Sequence, residues 1–255
     1  AVGTGQSLRL LNVANGQVVE PDLSLVQVTH FQMRPRNYGL LIIQEADRLG
    51  RATLDGRWQW RVHLPATVES LVLTEDGYAA VSLDNSQVGV VGPAGKGVGK
   101  WSAGEREAVL LCESQARHDG LCRWVSLARS ERVLRGHALD MRLLWQVEVP
   151  FAPWDILRTG EGVVVSANDN TAMLYDDSGE IIARRRGGPR PVHYATDKTG
   201  RAIGLHYDQG ILFCTKFDGS VIWRVPMETE PAAMCLSSLG ALVLADGVLS
   251  WIAGE

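Results

Sequence analysis

A tryptophan recurs along this chain at a fixed distance after a turn signal. Asp55-Gly56 precedes Trp60 and Asp218-Gly219 precedes Trp223, the indole in both lying four residues after the glycine. Gly97 stands in the same relation to Trp101, Asp140 leads to Trp145 with Met141 in the glycine place, Gly179 leads to Ala183, and Asn15-Gly16 leads to Glu20. The column Glu20, Trp60, Trp101, Trp145, Ala183, Trp223 advances in steps of 40, 41, 44, 38 and 40 residues. A constant period of this length means one supersecondary unit repeated, each copy burying its apolar faces against its neighbours.

The content of one period names the unit. Short runs rich in Val, Ile and Leu, such as 70–74, 79–83, 162–166, 211–214 and 241–244, are bounded by Gly, Asp, Asn or Pro, as strands are. The 27 glycines fall singly between these runs and act as turn punctuation. No capped stretch carries apolar residues at helical spacing. After the column residue comes a proline-marked loop in several units (Pro65, Pro150, Pro189, Pro226), then a strand, a turn often holding Gly (Gly77, Gly120, Gly160, Gly200, Gly240), a second strand, an acidic or amide turn, and a third strand. Four strands in about 40 residues make a propeller blade. The expectation is an all-β, six-bladed β-propeller spanning residues 1–255 as one domain. Residues 247–252 read as the third strand of the last unit, and residues 17–20 as the outer strand that unit lacks, so that both ends close one blade. Residues 8–11 are left over: they pair at the edge of the closing blade, or the unit count is off by one.

The Gly-x-x-x-Trp pattern at Gly56–Trp60, Gly97–Trp101 and Gly219–Trp223 resembles the quinoprotein-like (PQQ-like) repeat family, with WD40 propellers as the sister pattern. The family's Ala, Asp and Thr before that glycine are mostly substituted here. No unit carries the WD40 pairs in register: Trp154-Asp155 falls in another strand and Gly136-His137 stands alone. The resemblance therefore implies a fold, and function has to be argued from sites. Quinone-dependent members of the family usually carry an adjacent Cys-Cys pair, which this chain lacks, so no cofactor is expected.

Each chemical constellation yields to a plainer reading. The recurrent tryptophans have the geometry of an aromatic cage only in isolation; their period matches the blade, so they are expected to pack between blades. Cys112 and Cys122 lie symmetrically about Arg117, where a cross-strand bond and two buried thiols are the two readings, the second suited to a reducing compartment. His30, His63, His118, His137, His193 and His206 are scattered without metal-ligand spacing. G-x-S-x-G is absent, and the glycine-rich 92–97 lacks the spacing and following helix of a phosphate loop, leaving a hairpin turn.

Two polar features remain. The turns between second and third strands carry Asp47, Asp84-Asn85, Asn168-Asp169-Asn170, Asp208 and Asp246. Equivalent turns of every blade emerge on one face, so these residues are expected to ring one mouth of the channel, as backbone caps or as a partner surface shared with the proline-marked loops. The opposite charge gathers at Arg184, Arg185, Arg186 and Arg190, a solvated strand edge or a contact for an acidic partner.

A formal net charge of −4 removes the basic footprint of nucleic-acid binding, and no run approaches the length of a membrane span. Ala1 opens no visible secretory leader. The expectation is a non-enzymatic, cytoplasmic scaffold or subunit of a larger assembly, binding protein partners through its face loops, with no nucleic acid and no membrane insertion. The alternative is an enzyme or small-ligand binder using the central channel. It would need polar groups from the first strands, where His30, Cys112, His193 and Cys235 stand in apolar surroundings.

Overall fold

The computed structural model describes residues 2–4, 7–11, 18–19, 28–33, 40–44, 46–53, 57–74, 76–103, 109–113, 122–169, 171–186, 193–197, 199–237 and 240–253. Every regular element among them is a strand. In chain order these are β1 (Val2–Thr4), β2 (Ser7–Leu11) and β3 (Val18–Val19); β4 (Val28–Met33), β5 (Leu40–Gln44), β6 (Arg48–Ala52) and β7 (Trp58–His63); β8 (Val68–Leu73), β9 (Ala79–Leu83), β10 (Gln87–Val91) and β11 (Gly97–Ser102); β12 (Val109–Glu113), β13 (Trp124–Ala128), β14 (Val133–His137) and β15 (Leu143–Glu148); β16 (Pro153–Arg158), β17 (Val163–Ala167), β18 (Ala172–Tyr175) and β19 (Ile181–Arg185); β20 (His193–Thr196), β21 (Ala202–Asp208), β22 (Ile211–Lys216) and β23 (Val221–Pro226); β24 (Ala233–Ser237), β25 (Gly240–Ala245) and β26 (Val248–Ala253). Each group forms one sheet with strands in sequence order, five sheets having four strands and two having three. By compactness the chain divides into residues 1–113 with 137–143, and residues 114–136 with 144–255.

Burial explains the residue pattern of each strand. Second strands are covered on both faces: β9 and β13 are buried at every position, as are the first five residues of β21. A strand covered on both sides needs small or apolar residues throughout, hence Ala-Ala-Val-Ser-Leu in β9. Fourth strands lie outermost and alternate, with β7 and β23 half-buried only at every other residue. The column residues Trp60, Trp145, Ala183 and Trp223 all belong to fourth strands, on the inward side of that alternation.

One closing contact differs from expectation. Residues 17–20 are expected in the last unit, yet β3 pairs with β2, Val19 opposite Leu10 and Val18 opposite Leu11. The sheet β24-β25-β26 has three strands among the described residues. The leftover residues 8–11 lie in a sheet of their own with β1 and β3, which raises the sheets to seven against six repeat units. A short local connection makes that hairpin entropically cheaper than a pairing between chain ends.

Candidate functional site

The turns between second and third strands hold the expected residues. Asp47 precedes β6, Asp84-Asn85 separates β9 from β10, Asn168-Asp169 separates β17 from β18, Asp208 ends β21, and Asp246 separates β25 from β26. Asn170 lies outside the described residues. These turns are tight enough to force left-handed backbone on non-glycine residues: Ala46, Ser86, Gln209 and Asp246 have φ of 63°, 65°, 48° and 48°. Gln209-Gly210 and Asp246-Gly247, with both φ values positive, have the two-residue form that matches strand twist. Proline-marked loops bond onto the same turns. Leu64 N donates to Asp47 O (2.7 Å), Asp84 N to Thr67 O (2.9 Å), and Met227 N to Gly210 O (2.8 Å).

The acidic side chains divide into two kinds. Asn85 Oδ1 accepts from Gln87 N (3.2 Å) and Asp169 Oδ1 from Thr171 N (3.0 Å); the Thr171 hydrogen bonds lower the Asp169 pKa. Asp47 Oδ2 stands 3.5 Å from His63 Nε2. Asp84, Asp208 and Asp246 are exposed, and among the described residues their carboxylates accept no hydrogen bond. Elsewhere the fold captures such groups. Asp176 Oδ1 accepts from Ser178 N (2.9 Å), Ser178 Oγ (2.7 Å) and Glu180 N (2.8 Å), and Asp197 Oδ1 from Thr199 N, Thr199 Oγ1 and Arg201 N. Partial burial pushes both of these carboxyls up, and the hydrogen bonds outweigh it, leaving each below its ordinary pKa.

The basic edge is not a single feature. Arg184 and Arg186 are exposed, Arg190 lies outside the described residues, and Arg185 is only 5% exposed. Strand alternation sends consecutive side chains to opposite faces, so three adjacent arginines cannot share one edge. Arg185 turns inward, its Nη1 donating to Thr215 Oγ1 at 3.5 Å, and its charge acts on the Tyr194 hydroxyl. His206 is buried beside it, stacked on Phe213 with ring centroids 4.9 Å apart and both ring nitrogens unpaired. Burial, and then the Arg185 charge, push the His206 pKa down to about 4, with Asp208 opposing. Burial raises the Tyr194 hydroxyl, with Arg185 opposing.

Trp60 and Trp145 pack against the turns of neighbouring sheets. Trp60 Nε1 donates to Pro93 O (2.8 Å) and Trp145 Nε1 to Asp177 O (2.7 Å). In each case the acceptor lies two residues before a left-handed glycine, Gly95 (φ 77°) or Gly179 (φ 86°), over which the ring sits. The turns 92–96, 138–142, 176–180 and 216–220 share one frame: the first residue's N–H reaches the fifth residue's carbonyl, and the fourth residue's N–H reaches the first residue's carbonyl. Met141 occupies the glycine place as expected, with φ 68°.

This frame corrects one member of the column. The turn glycine before Trp101 is Gly95, not Gly97, so the column residue of β11 is Gly99. The register agrees: a bulge follows Arg51–Trp60, Leu174–Ala183 and Cys214–Trp223, and in β11 it follows Val90–Gly99. A Cβ at Gly99 would overlap the Asp140 carbonyl, so backbone takes the space that an indole takes elsewhere. Trp101, two residues on, lies against the His137 ring at 4.8 Å. Glu20 lies outside the described residues.

At Ala183 the column has no ring, and a cavity of about 530 Å³ opens there, bounded by Leu174, Ala183, Phe217, Trp223 and Leu236 with Asp197 and Lys216 at its polar side. Its signal was visible in the sequence as the one alanine among the column's tryptophans. Cys112, Cys122 and Cys214 are buried and outside any disulfide, and burial raises the Cys214 pKa to about 11. The glycine-rich 92–97 forms the β10–β11 hairpin turn. Among the described residues no three His, Cys, Asp or Glu side chains gather as a metal site, and no helix is long and apolar enough to cross a membrane.

No family model matches the chain, and no curated protein matches it in sequence. Solved structures do match in fold. A catalytically inactive virginiamycin B lyase from Staphylococcus aureus, with quinupristin, superposes with a TM-score of 0.70 at 12% identity, covering 94% of this chain and 84% of the lyase. BBS1N, in complex with ARL6DN, gives 0.69 at 11% identity over 100% of this chain and 93% of that one. BamB from Moraxella catarrhalis gives 0.55 at 11% identity over 90% and 89%. Identities this low carry the fold and no more, and with the four-stranded antiparallel sheets they identify the chain as an all-β propeller, similar at fold level to quinoprotein-like and WD40-like repeat proteins.

Proposed function

We propose that the protein is a non-catalytic scaffold, a cytoplasmic subunit of a larger assembly, that binds protein partners at the turns between second and third strands. The observation carrying this reading is that Asp84, Asp208 and Asp246 hold exposed carboxylates that accept no hydrogen bond among the described residues, in a fold that elsewhere captures turn aspartates with up to three donors. Such carboxylates are available to Lys, Arg or backbone N–H groups of a partner. The proline-marked loops bonded to the same turns add polypeptide of fixed position beside them. The structural likeness to BBS1N, solved in complex with ARL6DN, accords with this reading. Arg184 and Arg186 remain as a smaller basic contact.

The test is a pull-down from the native cell comparing the wild type with Asp84→Asn/Asp208→Asn/Asp246→Asn, at low and moderate salt. Charge attraction acts mainly on association rate and salt dependence. The triple variant is expected to lose a partner that the wild type captures at low salt, while keeping its melting temperature. Undiminished capture by the triple variant, with loss in Arg184→Ser/Arg186→Ser, would move the contact to the basic residues. Undiminished capture in both variants would overturn the reading.

A further inference from the structure

We infer that the cavity beside Ala183 is a receptor for a tryptophan side chain presented by a partner polypeptide. The protein itself supplies the template. At Trp145 the indole covers Gly179 and donates to Asp177 O at 2.7 Å; at Trp60 the indole covers Gly95 and donates to Pro93 O at 2.8 Å. The turn 216–220 repeats that frame, with Lys216 N to Ser220 O at 2.9 Å, Gly219 N to Lys216 O at 3.0 Å and Gly219 at φ 92°. The residue facing it is Ala183. A Cβ built at Gly95 or Gly179 meets the indole at 2.8 Å, whereas at Gly219 it meets nothing within 4 Å. The acceptor equivalent to Asp177 O and Pro93 O is Phe217 O, which accepts no hydrogen bond among the described residues. The turn that carries this open glycine and unused carbonyl lines, through Lys216, Phe217 and Asp218, a cavity in the size range of ligand sites.

The chemistry of the rim narrows the occupant. Glu161, Asp197 and Asp218 stand against Arg201 and Lys216, so both signs of charge line the cavity and neither a simple anion nor a simple cation is singled out. Phe217 packs with Leu174 and Ala202 to form the apolar floor, a surface on which a further ring can stack. Beyond the ring site, Ile182 and Ile222 line the mouth while 52% and 41% exposed, and Ile181 and Val221 are exposed next to them. An isolated indole would leave these aliphatic side chains in water; residues flanking a tryptophan in a polypeptide would cover them. An exposed aromatic anchor set in a pocket with an aliphatic surround is the usual arrangement of an interaction hot spot.

The experiment titrates the full chain with a blocked five-residue peptide carrying tryptophan between two valines, followed by the amide resonances of Gly219 and Ser220. Saturable shifts are expected. The same peptide with 1-methyltryptophan, which cannot donate to Phe217 O, is expected to bind roughly two- to tenfold more weakly. N-acetyl-tryptophanamide should bind more weakly than the peptide. Ala183→Trp, which supplies the ring in cis, should abolish binding; if that variant does not fold, Ala183→Leu fills the same space with less bulk. No saturable binding, equal binding of the methylated peptide, or binding that survives in the folded Ala183 variant would overturn the site. Equal affinity for N-acetyl-tryptophanamide and the peptide would overturn the polypeptide source. The inference is independent of the acidic turns, because the Asp84, Asp208 and Asp246 substitutions leave this cavity unaltered.

Discussion

The turns 176–180 and 216–220 have the same backbone and different fates. Each has its fourth residue as a left-handed glycine held to its first residue, at 3.1 Å for Gly179 and 3.0 Å for Gly219. Over Gly179 lies Trp145, whereas a Cβ at Gly219 would meet nothing within 4 Å and Lys216, Phe217 and Asp218 of its turn line a cavity. The difference teaches that turn geometry in this repeat is maintained by its own hydrogen bonds and does not require the ring that packs on it. The column residue is therefore a variable element: indole at Trp60 and Trp145, a backbone contact at Gly99, and at Ala183 a small side chain that lines a cavity. Removing the ring from the filled turn should produce the largest effect. Trp145→Ala deletes a half-buried indole and its hydrogen bond, and is expected to destabilise by about 3 kcal/mol. Urea unfolding reads the loss. A change under about 1 kcal/mol would show that the rings contribute little and that the two turns differ only in appearance.

Two residues of β19 sharpen the comparison further. Ala183, half-buried, lines the cavity, while Arg185, two residues on along the same face, is buried beside Tyr194, His206 and Thr215. If the surroundings of Arg185 are as tightly built as their burial indicates, protonating His206 must loosen them. Its folded pKa, about 4, lies below the ordinary 6.5, so folding favours the neutral ring. That contribution is present above pH 6.5 and is lost as pH falls through the interval to 4. Its full size is about 3 kcal/mol, so the loss measured near pH 4 should approach but not reach it. His206→Phe keeps the stack on Phe213 and removes the titration. The wild type should therefore lose more stability than the variant between pH 6.5 and 4, and parallel pH profiles would show that His206 protonates without cost.

How much of this was legible in the residues depends on whether local spacing or spatial packing sets the feature. The fourth-strand column and the left-handed turn position were readable, to the point that Met141 could be placed where glycine is usual. Gly95 was not separable from Gly97, because three glycines stand within 92–97 and only the backbone angle distinguishes them. The arginine run was misread as one surface because charge counting ignores strand alternation, which buries Arg185 and exposes Arg184. The acidic turns were placed correctly, yet which carboxylates find donors depends on the residue two or four places on: Thr171 satisfies Asp169, while Asp208 is followed by Gln209-Gly210 and finds none. Ala183 was visible as a departure from the column, but that its side opens a cavity follows only from the turn opposite.

Filling the open turn tests the comparison from the other side. Ala183→Trp should gain about 1 kcal/mol, the usual return for filling a cavity. The gain is smaller than the loss at Trp145 because Phe217 already covers part of the floor, leaving less apolar surface for the new ring to bury. Thermal unfolding gives the sign directly. A destabilised variant would mean that β19 and the turn 216–220 do not stand as β15 and the turn 176–180 do.

The smallest effects come from the aspartates, where captured and uncaptured carboxylates should part company. Asp176→Ala strips three donors of their acceptor in a turn that is partly buried, and is expected to cost about 1 kcal/mol, the ordinary net value of such a loss. Asp208→Ala removes an exposed carboxylate that accepts no hydrogen bond, so it should stay within about 0.5 kcal/mol of the wild type. Asp246 requires a gentler substitution, since its left-handed backbone would penalise alanine for reasons unrelated to charge; Asp246→Asn keeps the tolerance for that conformation. Measured together by thermal melts, Asp176→Ala should separate from the other two. If Asp208→Ala proved as costly as Asp176→Ala, the carboxylate would be stabilising its own turn, and the case for leaving it to a partner would fall with it.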